Sequence, residues 1–276
     1  MQLLDRVRST CRSIAEAARY VSIDLDAWRD PPPVDAGASA TELPDHVLQL
    51  DGINFGSGWF PTLRKRSGLS GYRTVAAAFC EHGPWTNAEL RGLDAAAVAG
   101  VLGQEPGHPL MRLYAQALRD LGRFLGDRGA LDLVAEADGS AERLAELLAC
   151  GMRFFDDRGF YKRAQIVPSD LALAGAAEFH DLDRLTIFAD NLVPHVLRVD
   201  GVLRYDPELA AHIDAGELLP QGAAEREIRA CALHACEQLA ERTGVPPRLL
   251  DIRLWNGGQA PEYKAVPRHR TRSVYY

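Results

Sequence analysis

The chain has 276 residues, 47% hydrophobic and 25% charged, which is the composition of a globular protein with a sizeable core and argues against a chain that is disordered as a whole. Its net charge of −7 argues against broad binding of a nucleic-acid polymer, because nonspecific affinity for a polyanion comes chiefly from Lys and Arg neutralising phosphates; a small anion on a local basic cluster is still allowed. No window comes near the roughly 18–20 uncharged apolar residues that cross a bilayer, and the opening "MQLLDRVRSTCRSIAEAARYV" has no apolar signal region, so a cytoplasmic location is expected.

In chain order, Leu4, Val7, Cys11, Ile14, Ala18 and Val21 recur at spacings of three and four and predict a helix with one apolar face. The run 29–44, "RDPPPVDAGASATELP", offers no periodic face and reads as a linker-like loop. The stretch after it, "HVLQLDGINFGSGWFPTLRKRSGLSGY", holds too many glycines and turn residues for one long element. Leu110, Leu113, Tyr114, Ala117, Leu118, Leu121 and Leu125 predict a second helix. A third runs through Leu144, Leu147, Leu148, Gly151, Phe154 and Phe155, with Ser140 as its cap. A fourth spans 223–243 with Ile228, Cys231, Ala232, Ala235 and Leu239 on one stripe, and stops at Gly244 before Pro246 and Pro247. Strands are few: 47–50, 202–205 and the closing "RSVYY". The expected fold is mainly α, one compact helical domain over 1–276 with a few short strands.

The five cysteines are odd in number and dispersed, which fits reduced core thiols rather than a disulfide framework. Cys231 and Cys236 are the one close pair, and on a helix that offset turns them about 140° apart, away from a shared metal.

Five stretches carry polar chemistry. In "LQLDGINFGSGWFPTL", Gly56 and Gly58 leave room for a ligand while Asn54, Phe55, Trp59 and Phe60 offer an amide and aromatic faces to a flat base; a structural turn explains the same residues. It is neither a Walker loop nor a serine-hydrolase elbow. In "FFDDRGFYKRAQI", Lys162 and Arg163 are ordinarily a solvated helix end, yet two cations beside Tyr161 can also hold a phosphate. The last stretch, "YKAVPRHRTRSVYY", gathers Lys264, Arg268, His269, Arg270 and Arg272 before an ending that reads as packed. The pair His180-Asp181 is the dyad of some HD-type metal phosphohydrolases, without their further ligands; a surface loop accounts for it. Finally, "RLTIFADNLVPHVLRVDGVLRY" places Asp190 at the end of an apolar run and just ahead of Pro194. There it can cap a helix, and an anionic carboxylate so fixed can also stabilise an oxocarbenium ion.

The motifs "NFGSGWFPTL", "YKRAQI", "LTIFADNLVPHVLRVDGVLRY", "EREIRACALHACEQL", "LLDIRLWN" and "HRTRSVYY", in this order from about residue 20 to the C-terminus, resemble the queuosine salvage family of queuosine 5′-phosphate N-glycosylase/hydrolases. The resemblance implies a helical fold similar to the helix-hairpin-helix DNA glycosylases. It also implies hydrolysis of queuosine 5′-monophosphate to free queuine for salvage into tRNA modification. The catalytic aspartate of the family's FAD motif falls on Asp190. Asn191 and Leu192 depart from the pattern, where the family carries an aromatic and a basic residue. Queuine's secondary amine calls for an acid, Asp51 or Asp251; the base calls for an aromatic, Phe55, Phe188 or Trp255, with Asn54 beside it. The 5′-phosphate goes to Lys162 or to Arg268 and Arg270. Neither metal nor cofactor is implied, and the partner is this small molecule rather than a nucleic-acid polymer or a membrane. The rival readings are a non-catalytic module that binds modified nucleosides or tRNA, and an HD-type phosphohydrolase.

Overall fold

A computed structural model of the protein describes residues 2–30 and 41–276; most of the run expected as a linker lies outside the described residues. In chain order the helices are α1 (Leu3–Glu16), α2 (Pro44–Gly52), α3 (Gly71–His82), α4 (Asn87–Gly92), α5 (Ala95–Leu102), α6 (Pro109–Leu125), α7 (Ala130–Glu136), α8 (Ala141–Gly151), α9 (Lys162–Leu173), α10 (Val193–Val199), α11 (Pro207–Asp214), α12 (Ala223–Thr243), α13 (Pro247–Gly257) and α14 (Pro261–Ala265). Two strands, β1 (Val21–Ile23) and β2 (Leu203–Tyr205), pair antiparallel with Val21 opposite Tyr205. The fold is mainly helical, as the periodicities predict.

The described residues group into two compact units of interleaved sequence. Of the described residues, the first contains 2–30, 158–162 and 183–272; the second contains 41–157, 163–182 and 273–276. Among the described residues Lys/Arg and Asp/Glu nearly balance in the first, so the negative charge of the chain falls in the second.

In the first unit α1 packs along α12, burying Leu3, Leu4, Val7 and Cys11. The helix does not reach Val21 as its apolar spacing suggested. It ends at Glu16 because the amides of Arg19 and Tyr20 turn to Glu227 Oε2 on α12, at 2.9 and 2.6 Å, and Val21 opens β1 instead. A side chain two hundred residues away thus supplies the partner that a further helical turn would have used. α12 itself runs as predicted and stops at Gly244, whose φ of 72° is the left-handed conformation a helix C-terminus favours in glycine.

In the second unit α6 is the hub, with Leu110, Tyr114, Ala117, Leu118, Leu121 and Leu125 buried on the face the sequence marked and α2, α4 and α5 packed on it. Its Gly122 permits close approach of α4, since a Cβ there would stand 2.6 Å from Leu90 Cβ. Residues 47–50, expected as a strand, lie within α2; 46–52 are all buried, so no polar positions mark a period of two or of 3.6. The closing residues form no strand either. Gly56 N donates to Tyr276 O at 2.9 Å and Arg163 donates to Val274 O at 2.8 Å, which packs the terminus without a ladder.

Ser140 caps α8 by accepting from Arg143 N, as expected, but the helix stops at Gly151 and Phe154 and Phe155 follow in a short 3-10 turn. Asp181 strengthens the same terminus: its carboxylate accepts from Ser140 Oγ at 2.7 Å and Ala141 N at 2.6 Å. Asp181 of the His-Asp pair is therefore spent on capping, and among the described residues no cluster of His, Cys, Asp and Glu could hold a metal ion. Cys11, Cys231 and Cys236 are buried free thiols, whereas Cys150 is exposed.

Candidate active site

Residues 185–189 of the first unit are buried yet neither helical nor part of a sheet. A backbone so placed needs partners for its amides and carbonyls, and side chains from α12 and α13 provide two of them. Phe188 N donates to Asp251 Oδ1 at 2.8 Å. Arg229, only 3% exposed, donates from Nε to the carbonyl of Ala189 at 2.8 Å. Its guanidinium lies 3.9 Å from the centre of the Phe160 ring and 3.5 Å from Glu225 Oε1, one helical turn earlier. Arg229 is absent from the residues the sequence singled out. Its signal was there, as an arginine between Ile228 and the apolar run "ACAL".

Asp190 follows this segment and is half-buried. Its Oδ1 accepts from Leu192 N at 2.7 Å and Val193 N at 3.2 Å. α10 begins at Val193 with Leu192 as its cap residue, so Asp190 sits ahead of the helix and closes an Asx turn onto the first two amides. Pro194 is harmless there because amides of the first turn have no intrahelical acceptor. No donor among the described residues reaches Oδ2. One oxygen is thus fixed by backbone amides and the other is not.

Arg268 stands near that carboxylate. Burial lowers its pKa, the charge of Asp190 works in the opposite sense, and Arg270 adds to the lowering. Arg268 is half-buried and makes no hydrogen bond to the described residues, whereas Arg270 donates to the carbonyl of Gly216. Asn191 Nδ2 donates to the carbonyl of His269 at 3.3 Å. Lys162, at the start of α9, is 4% exposed, so it is not the solvated helix end that its composition suggested. Trp255 is half-buried on α13, one turn beyond Asp251. The first unit thus contains Asp190, Phe188, Asp251, Trp255, Lys162, Arg268 and Arg270.

Asp51, Asn54 and Phe55 belong to the second unit. Asp51 is buried on α2, and burial with the charges of Asp51 and Asp170 pushes the Tyr72 hydroxyl up. Phe55 is 1% exposed, with Tyr114 and Phe154 set edgewise to its ring at 5.0 and 5.9 Å. Arg163 covers the ring at 4.7 Å and the Phe155 ring at 4.8 Å. Its terminal nitrogens donate to the carbonyls of Gly52 at 2.7 Å, Phe154, and Val274 at 2.8 Å. Gly56 needs its glycine, with φ at 107° and a Cβ that would stand 2.7 Å from Leu110 Cδ1.

The sequence model of the family described as queuosine salvage protein matches residues 37–276. The chain belongs to that family. It is 33% identical to a queuosine 5′-phosphate N-glycosylase/hydrolase of Sphaerobacter thermophilus, over 98% of this chain and 97% of the relative. Proteins of the same description from Mus musculus and Dictyostelium discoideum are 31% and 34% identical, over 61% and 58% of this chain and 59% and 56% of theirs. Every site candidate described above, and Arg229 with them, lies within the span that the family model matches.

Proposed function

We propose that the protein hydrolyses the N-glycosidic bond of queuosine 5′-phosphate and releases queuine. The observation that carries this reading is the Asp190 carboxylate, with Oδ1 tied to two backbone amides and Oδ2 open beside Arg268. The names of relatives aligned over nearly the whole chain supply the substrate. Queuine is a 7-deazaguanine, so a carbon replaces the ring nitrogen whose protonation helps ordinary purines leave. More of the barrier then rests on the positive charge that develops on the ribose as its C1′–N bond breaks. An anionic oxygen held against that carbon lowers the barrier without having to reorganise.

Lys162, Arg268 and Arg270 are assigned to the 5′-phosphate, Phe188 and Trp255 to the base, and Asp251 to the protonated amine. Asp51, Asn54 and Phe55 are second candidates for the base and its amine. Raised KM in D251N or D51N tells the two acids apart.

The test is incubation with queuosine 5′-phosphate and detection of free queuine by mass spectrometry, for the parent and for Asp190→Asn. Asparagine can still accept from Leu192 and Val193, so its folding should change by well under about 1 kcal/mol. Removing the charge is expected to lower kcat on the order of a hundredfold or more while binding persists. No queuine from the parent overturns the function, and near-normal turnover in the variant overturns the role of Asp190. With the same assay, Lys162→Ala should lower kcat/KM for the nucleotide and leave the nucleoside reaction alone, because only the nucleotide brings remote binding energy to the transition state.

A further inference from the structure

The peptide that joins Ala189 to Asp190 is gripped through its carbonyl by Arg229 Nε at 2.8 Å. Ahead of it, Asp251 Oδ1 holds Phe188 N at 2.8 Å, and beyond it Asn191 Nδ2 donates to His269 O at 3.3 Å. Asp190 Oδ1 is itself tied to Leu192 and Val193. The torsions on either side of this one peptide decide where Oδ2 points, and an irregular segment has no helical or sheet hydrogen bonds to fix them. Burying a guanidinium is costly, and an apolar side chain would serve a simple helix contact better. Here the guanidinium is given a ring to lie on, Phe160 at 3.9 Å, and a carboxylate, Glu225 at 3.5 Å, and it directs Nε at the carbonyl next to the reactive carboxylate.

We propose that Arg229 is a positioning residue for the hydrolysis: through the carbonyl of Ala189 it sets the direction of the Asp190 carboxylate, so that turnover depends on it and substrate binding does not. The kinetic half of this statement rests on the proposed reaction; the structural half does not. A misplacement of a reacting group by about 1 Å can cost about a hundredfold in rate, and a lost tether at one remove should cost less, about tenfold or more.

The experiment compares parent, R229K and R229M on queuosine 5′-phosphate, and measures hydrogen exchange at the amides of Leu192 and Val193, which report the Asp190 tether. In R229M kcat should fall about tenfold or more with KM within about threefold of the parent, and both amides should exchange faster. R229K, which keeps the charge and a donor, should recover part of the loss. Unchanged kcat in a folded R229M, a loss that appears in KM alone, or unchanged exchange at both amides each overturns the proposal. Should R229M not fold, R229K carries the same readouts with the same signs. If the parent releases no queuine, the proposed function fails, while the exchange measurement still decides whether Arg229 holds the Asp190 turn.

Discussion

Each unit buries one arginine against aromatic rings and aims it at backbone carbonyls, and the two are used differently. Arg163 lies between Phe55 and Phe155 and collects three carbonyls, from Gly52, Phe154 and Val274, with its terminal nitrogens. Its Nε meets no acceptor among the described residues. Arg229 lies on one ring, has Glu225 beside it, and uses Nε on the carbonyl that precedes Asp190. The first fastens three distant stretches of chain, including the C-terminus, to one another. The second orients one peptide. Burial lowers the pKa of Arg163 to about 10 even though the carboxylates of Asp157 and Asp51 oppose the shift, so its carbonyl partners compensate for a substantial loss of hydration. A buried cation is therefore no sign of a site by itself; what its nitrogens hold decides between a fastening and a catalytic support.

The sharpest way to break this contrast is Arg163→Met. Three buried carbonyls would lose their donors, and a loss of about 3 kcal/mol in unfolding free energy is expected, read from denaturant midpoints, with kcat of the folded fraction unchanged. A fall in kcat with full stability would make Arg163 another Arg229. Deleting residues 274–276 removes the Val274 and Tyr276 carbonyls and the buried Tyr276 ring, for an expected cost of about 2 kcal/mol. Combined with Arg163→Met, the two losses should sum to more than the double variant shows, by about 1 kcal/mol, because both remove the Arg163–Val274 bond. Full additivity would show that the terminus is held by other means.

The smallest expected effect belongs to the first unit and acid. His269 has its pKa lowered to about 3, first by burial and then by the charges of Arg229, His195, Arg268 and Arg198. The folded protein thus keeps His269 neutral where the unfolded chain, with an ordinary value of 6.5, takes up a proton. Stability from this group is complete above pH 6.5 and drains away as pH falls toward 3, by about 1 kcal/mol between pH 6.5 and 5.5. Chemical denaturation across that range should show the slope, and His269→Asn should flatten it; an unaltered slope would place the acid sensitivity elsewhere.

Much of the frame is legible in the sequence, for physical reasons. The faces of α6 and α12 repeat every three to four residues over many turns, and Gly244 ends α12 where only a left-handed residue suits. Ser140 is a local cap and acts as one. Asp190 is legible as a carboxylate poised before a proline-bearing helix. What the chain does elsewhere was not readable from neighbours. α2 is buried along its length, so its pattern carries no period, and α1 ends where Glu227 captures two amides.

The sequence by itself determined a mainly helical chain, a family, and the carboxylate around which the chemistry is proposed, because periodicity, caps and motif residues are encoded within a few positions of one another. Only the tertiary structure decided that Lys162 and Arg163 are buried, that Asp181 caps a helix, and that Arg229 and Asp251 hold the carbonyl of Ala189 and the amide of Phe188. Those partners stand 40 and 63 positions away from the groups they satisfy. A buried irregular segment must have its hydrogen bonds met, but which side chain meets them depends on the packing of α12 and α13, which no local pattern records.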